Sequence, residues 1–298
     1  MRRLISLVLL LLLGTSCEKD ITLDLPQDEV RLVVDGYVET GLPPYILLSR
    51  SEGYFNPIGI SSLNNLPERG ALVYISNGSD TVQLLEIDTL INGIRVSGCY
   101  IAIDPLSGTF SMTGVPGTTY SLHVITTKGE ELRSKSKLQV PVSLDSTWFA
   151  VQGELDSLGW AFARLTDPDT LDNCYRWFAR RLGKDSDFIP PFGSAFEDKF
   201  INGRTFDFAA TRGSIQNSTA VDDKNAEAGY FKVGDTILVK FCTIDRATFN
   251  FWRDAENQLS GNGSPFAVPA NIGSNIEGGL GCFATYAPVF DTIIARRP

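Results

Sequence analysis

The sequence predicts a mainly β chain built as two sandwich-like domains, the second carrying one helix near its C-terminal end. Three observations carry this expectation. Short runs of β-branched, aromatic and aliphatic residues alternate with polar ones through most of the chain. Turn residues, drawn from 27 glycines and 15 prolines, punctuate those runs. One stretch only, starting near residue 245, shifts to a helical period.

The first domain is placed at residues 29–143. Arg31-Leu32-Val33-Val34-Asp35-Gly36-Tyr37-Val38 reads as its first strand and Tyr45 to Ser49 as the next, with Gly-Leu-Pro-Pro as the turn between them. Ala71 to Ser76, Asn77-Gly78 and Thr81 to Leu85 read as a hairpin, since Asn-Gly accepts the positive φ that tight turns need. Cys99 to Ile103, Gly108 to Met112 and Thr118 to Thr126 continue the series. In the last of these, Tyr120, Leu122 and Val124 form the inward face, which turns His123 outward. Val115-Pro116-Gly117-Thr118-Thr119-Tyr120-Ser121-Leu122 resembles the penultimate strand of immunoglobulin-like or prealbumin-like modules.

The second domain is placed at residues 144–298. Ser146 to Leu155, Trp160 to Leu165, Tyr175 to Arg180 and Thr236 to Thr243 read as strands, with Ile237, Val239 and Phe241 on one face of the last. A helix is predicted over about 245–260, because Ala247, Phe251, Ala255 and Leu259 recur every four residues. Asp245 or Thr243 can cap it, and Gly261 stands where it should stop.

The N-terminus predicts a destination. Arg2-Arg3, an apolar run from Leu4 to Leu13 and the small residues Gly14-Thr15-Ser16 read as a signal peptide over residues 1–16. The run is too short for the roughly 20 residues of a spanning helix. Cys17 follows directly, as the thiol that takes a diacylglycerol, so a membrane partner is expected through a lipid anchor. Gly14 departs from the lipobox pattern, which has Leu at that position. Residues 17–28 read as the lipidated tether.

Composition narrows the chemistry. Loss of Arg2 and Arg3 moves the formal charge from −9 to −11, against any nucleic-acid partner. His123 is the only histidine, which argues against a histidine-based triad or zinc site. Cys99, Cys174, Cys242 and Cys282 follow no metal-ligand spacing, and both bridged and free states stay open. Asp167-x-Asp169-x-x-Asp172 lacks the glycine a calcium loop needs, and reads as a solvated turn. The glycine-rich Asn271–Gly281 has no lysine, and reads as a structural loop rather than a phosphate cradle. Six phenylalanines between 188 and 208 offer either a partner-binding loop or the closed end of a sandwich. No catalytic residue, metal site or cofactor is predicted.

Val33-Val34-Asp35-Gly36-Tyr37, Pro116-Gly117-Thr118-Thr119-Tyr120, Cys174-Tyr175-Arg176-Trp177 and above all Asn275-Ile276-Glu277-Gly278-Gly279-Leu280-Gly281 together resemble a Bacteroidota lipoprotein family, a domain of unknown function (DUF4249). The resemblance covers nearly the whole mature chain. It implies an outer-membrane lipoprotein, surface-exposed or periplasm-facing, of a kind often encoded beside TonB-dependent receptors. It implies no catalytic residues. Asp-Ser/Thr followed by an aliphatic residue or Thr occurs seven times and resembles the O-glycosylation signal of that phylum's exported proteins. The acceptor positions are Thr81, Thr89, Ser146, Ser157, Thr170, Thr236 and Thr292. The expected function is a non-catalytic accessory or substrate-capture partner of a TonB-dependent transporter. A surface glycan-binding module or adhesin is the alternative, and a hydrolase using two facing carboxylates the third.

Overall fold

The structure, a computed structural model, describes residues 29–52, 66–91, 94–153, 155–214, 227–261 and 272–297. The predicted signal peptide, Cys17 and the predicted tether lie outside them.

The described chain is mainly β. In the first half, β1 (Leu32–Glu39), β2 (Tyr45–Arg50), β3 (Leu72–Ser76), β4 (Thr81–Gln83), β5 (Leu85–Ile91), β6 (Ile94–Ile101), β7 (Thr119–Ile125) and β8 (Glu131–Lys137) follow in order. The second half holds β9 (Ser146–Val151), β10 (Leu158–Thr166), β11 (Cys174–Arg181), β12 (Ala195–Glu197), β13 (Thr205–Ala210), β14 (Phe231–Lys232), β15 (Thr236–Ile244), α1 (Arg246–Gly261) and β16 (Leu280–Ile294).

An eight-stranded sheet, ordered β12-β11-β15-β16-β1-β2-β6-β5, draws strands from both halves of the chain. Two four-stranded sheets pack against it. One, β4-β3-β7-β8, encloses a core around Val34, Val38, Ile46, Leu48, Tyr100, Leu122 and Phe283. The other, in which β10 pairs with β9, β13 and β14, encloses a core around Leu165, Tyr175, Trp177, Phe231 and Phe241. The result is two sandwiches that share one continuous sheet. The predicted alternations are present: Tyr120, Leu122 and Val124 face the first core, and Ile237, Val239 and Phe241 the second. Tyr120 also locks its own corner, accepting from Val115 N at 2.8 Å and donating to Thr113 O at 3.0 Å, the tyrosine-corner arrangement of such sandwiches.

β16 joins the two sandwiches because it is long. Its first part pairs in parallel with β1 (Val33↔Leu280 to Glu39↔Tyr286), and its second part pairs antiparallel with β15 (Ile244↔Tyr286 to Thr236↔Ile294). Beyond the end of β15, the side chain of Asn275 takes over. Its Nδ2 donates to Phe283 O at 2.7 Å, and its Oδ1 accepts from Phe283 N at 2.9 Å. One amide thereby supplies both bonds a strand residue would make. Glu277 pairs with Arg133, and Ser134 Oγ donates to Asn275 O at 2.7 Å, which ties the same segment to β8. Gly281 has φ 100°, and a Cβ there would lie 1.9 Å from Val34 O, so only glycine lets β16 reach β1. The glycine-rich loop is a clasp between sheets.

The helix begins after Asp245, as expected, and Asp245 Oδ1 accepts from Thr248 N at 2.8 Å. Its other oxygen accepts from Ser136 Oγ at 2.7 Å, so the cap also holds β8. The buried face differs from the predicted stripe. Thr248 and Phe249 are buried, while Leu259 is 52% exposed. The cap and the sheet beneath set the helix's rotation, which a four-residue period alone cannot specify.

Replacing Gly281 with Ala is expected to abolish cooperative folding, whereas Gly273→Ala, whose Cβ meets only an ordinary contact, should melt like the parent chain. Asn275→Ala leaves two buried backbone groups of Phe283 without partners, a loss of about 1–3 kcal/mol each. Thermal denaturation followed by circular dichroism reads both; an unchanged melting temperature for either Gly281→Ala or Asn275→Ala contradicts the clasp.

Candidate functional site

Strand alternation gives the large sheet two unlike faces. Odd positions of β1, β11, β15 and β16 do not all face one way, because registers differ, yet each strand divides cleanly. Val34 and Val38, Tyr175 and Trp177, Val239 and Phe241, and Phe283 and Ala287 enter the two cores. Asp35, Tyr37 and Glu39, Arg176 and Phe178, Lys240 and Cys242, and Cys282, Ala284 and Tyr286 therefore share the opposite face. Helix α1 covers one end of that face, with Phe249 packed among Cys174, Cys242, Ile244, Cys282 and Tyr286.

Arg176 organises this face. Its side chain is 3% exposed, and its guanidinium lies 3.6 Å from the centre of the Trp252 ring and 4.8 Å from that of Phe178. Arg176 Nε donates to Ser194 Oγ at 3.1 Å, and Nη1 donates to Tyr286 Oη at 3.2 Å. Trp252 Nε1 donates to the same phenol at 2.7 Å. Glu256 Oε1 stands 3.9 Å from Arg176 Nη2, and its other oxygen accepts from Ser194 N at 3.1 Å. A cation buried this deeply persists because aromatic faces, hydrogen bonds and a carboxylate replace its water. The Ser194 hydroxyl donates to Glu256 and accepts from Arg176, and with Ser194 only 2% exposed it is closed to a substrate.

Beyond the helix the face opens into a groove of two adjoining cavities of about 470 Å³ each, which meet at Tyr37, Glu39, Tyr45, Phe188 and Lys240. Lys240 Nζ donates to Glu39 Oε2 at 2.5 Å, so that pair is self-neutralised. Tyr37 and Tyr45 meet edge to face with ring centres 4.1 Å apart. Asp35 is different. It lines the groove, stays open to water, and has no hydrogen bond or ion pair among the described residues. Enclosure by the groove walls pushes its carboxyl pKa up, and the field of Arg176 pulls it part of the way back. The groove thus presents aromatic surface and one carboxylate without a protein partner, the chemistry that binds N–H or O–H donors beside a flat apolar face.

The predicted positions fall elsewhere. Thr81, Ser146, Thr170 and Thr292 are exposed on the surface, and Ser157 and Thr236 half-buried; the side chain of Thr89 lies outside the description. Asp167, Asp169 and Asp172 do not converge: Asp167 takes the Tyr175 hydroxyl at 2.5 Å, and Asp172 pairs with Arg246 at 2.9 Å. His123 points outward, with Nε2 3.4 Å from Glu131. Cys99, Cys174, Cys242 and Cys282 are free and buried. Burial pushes the thiols of Cys174 and Cys242 up to about 12, so both stay protonated and unreactive near neutral pH. The six phenylalanines divide: Phe196, Phe206 and Phe208 pack on the second core, Phe188 lines the groove, and Phe192 and Phe200 are exposed.

Asp35, Arg176, Lys240 and Trp252 escaped the sequence reading. The available signal was a lone charge inside an apolar strand, as in Cys174-Tyr175-Arg176-Trp177-Phe178. Tyr175 to Arg180 read there only as a strand; the structure buries Arg176 within it.

Fold and groove define a class: a mainly β protein of two sandwiches on one shared sheet, with a polar–aromatic groove on that sheet's open face. The clasp at Asn275–Gly281 and the strand around Asp35 are also the segments of family resemblance, and the family comparison agrees. The chain belongs to the DUF4249 family, a domain of unknown function, whose family model matches residues 18–289. No curated protein matches the chain. Among the described residues, no helix is long and apolar enough to cross a membrane.

Asp35 gives a signed test. An acid whose folded pKa is raised favours the native state when protonated, and that contribution is lost as pH rises from its unfolded value, about 3.9, through the folded one. Asp35→Asn should therefore raise the melting temperature at pH 7, with the gain vanishing toward pH 3. A melting temperature lowered at pH 7 would show that the carboxylate is a structural partner instead.

Proposed function

We propose that this chain is a non-catalytic cell-envelope lipoprotein of the outer membrane, anchored through Cys17, that captures a ligand in the sheet-face groove as partner of a TonB-dependent transporter. The observation that carries the reading is Asp35, an unpaired carboxylate kept in a preformed groove among Tyr37, Tyr45 and Phe188. A carboxylate that the fold leaves without a partner in the wall of a groove is available to the donor groups of a ligand. The groove's dimensions suit a small ligand, and burial pushes up the thiol in its lining, Cys282, and keeps it protonated, which favours binding over covalent chemistry. The N-terminal pattern of Arg2-Arg3, Leu4–Leu13 and Cys17 supports the anchor. Two or three acyl chains hold a protein stably where one does not.

A second reading, a surface glycan-binding module or adhesin, is favoured by the same chemistry, since a sugar ring offers hydroxyl donors beside an apolar face. The aromatic loop supports it less, because Phe196, Phe206 and Phe208 turn to the core. The exposed Thr81, Ser146, Thr170 and Thr292 support O-glycosylation of the chain itself.

Affinity purification from native outer membranes is expected to recover a TonB-dependent transporter with this chain. Its intact mass should carry the lipid increment and added glycan, and Cys17→Ala should lose palmitate labelling. Purification of the chain alone under mild detergent overturns the partnership. Undiminished labelling of Cys17→Ala overturns the anchor, and a mass carrying lipid alone overturns the glycosylation.

A further inference from the structure

One corner of the sheet-face groove combines a carboxylate with two aromatic rings. Asp35 and Tyr37 are alternate residues of β1, so their side chains leave the sheet on the same face, roughly 7 Å apart along the strand. Tyr45 stands directly across from Tyr37 in β2, and both tyrosines line both cavities of the groove. The other charges nearby are answered within the chain. Lys240 pairs with Glu39, and Arg176 stands 3.9 Å from Glu256. Asp35 has no such partner among the described residues, and Asp187 adds a further carboxylate to the lining. The rings divide in the same way. Arg176 lies over Trp252 and Phe178, and Arg180 and Lys240 lie over Phe188. Among the described residues, no ammonium or guanidinium lies over Tyr37 or Tyr45.

We propose that the occupant of this groove is a small organic amine with one positive charge and a flat apolar body, its ammonium donating to Asp35 and resting against Tyr37 and Tyr45. The proposal rests on the groove being the ligand site of this chain. An ammonium nitrogen lies about 2.8 Å from a carboxylate oxygen that it bonds and within about 6 Å of the centre of a ring that attracts it. The spacing of Asp35 and Tyr37 admits both at once. The groove walls take part of the water from Asp35, as its raised pKa records, and a cation supplies what they remove. The field of Arg176 reaches Asp35, yet Arg176 is bonded to Ser194 and Tyr286 and matched by Glu256. Phe188 continues the ring surface beside Tyr45 and offers a floor to the apolar body. An anion would meet Asp35, Glu39 and Asp187. A neutral sugar needs donors as well as acceptors, and the donors of Arg176 and Lys240 are engaged. It would also leave the charge of Asp35 unmatched.

The test titrates a matched pair of probes, tryptamine and tryptophol, into the folded protein at pH 7 by calorimetry. The two share a ring and a two-carbon chain and differ in an ammonium against a hydroxyl. The parent chain is expected to bind tryptamine about tenfold more tightly, the size of one charge-assisted hydrogen bond. Asp35→Asn keeps the shape of the side chain and should erase that preference while leaving tryptophol binding unchanged. Asp80→Asn removes the same charge from an exposed turn and should leave tryptamine binding unchanged, which separates a site from general attraction to an acidic chain. In proton spectra, the methylene beside the ammonium should shift upfield on binding, because ring faces shield it, and Tyr45→Leu should reduce that shift. Equal affinities for the two probes overturn the cation and leave the groove as a ligand site of another class. A loss of tryptamine affinity that is equal in Asp35→Asn and Asp80→Asn overturns the role of Asp35, and binding without the upfield shift overturns the contact with the tyrosines. Binding of neither probe overturns the amine as occupant; the partnership with a transporter fails separately, by the co-purification described above.

Discussion

The parallel pairing of β1 with β16 is the contact on which the rest of this structure depends. It joins residues near position 35 to residues near position 282, and through it one sheet runs across both sandwiches. Bringing such distant segments together costs loop-closure entropy that local contacts do not offset. The closing segment is correspondingly well held. Asn275 stands in for a missing strand, Glu277 pairs with Arg133, and Gly281 admits the close approach to Val34. A buried polar cluster of Ser136, Thr285 and the Asp245 cap locks β8, β16 and α1 at the same junction.

A continuous sheet has a functional consequence. One face fills two hydrophobic cores, and the other is left with the helix at one end and a groove beyond it. The charges on this open face are neutralised locally, Lys240 by Glu39 and Arg176 by the group around Ser194, Tyr286 and Glu256. Buried pairs of this kind contribute little net stability and fix geometry instead. They hold Trp252, Tyr286 and Phe178 in place as groove wall, and leave Asp35 as the group without a protein partner. That contrast separates the groove's framework from the part available to a ligand.

Much of the β architecture was legible because local chemistry determines it. The alternation of Tyr120, Leu122 and Val124, the Asn77-Gly78 turn and the Asp245 cap are readable from a few neighbouring residues, and the structure contains all three. The structural reading of the Asn271–Gly281 loop also matches over its described part, because glycines without a lysine point to close backbone approach. The rotation of the helix was not legible: Leu259 continues a plausible stripe yet faces water, while Trp252 is placed by Arg176 on another element. Nor was the groove, since Asp35, Arg176 and Lys240 come from three strands whose order in the sheet depends on long-range pairing. The shared sheet lies beyond local pattern for the same reason, although both sandwich-like halves are recognisable from their strands.

Native-state hydrogen exchange read by mass spectrometry tests the central claim most directly. If β16 makes the two sandwiches one cooperative structure, the amides of β7 and β8 in the first half and of β11 and β15 in the second will open with a common free energy. A urea series should then melt the two sets together. Exchange of one set at markedly lower stability, with the other still protected, would contradict the claim and show that the shared strand does not couple the two halves.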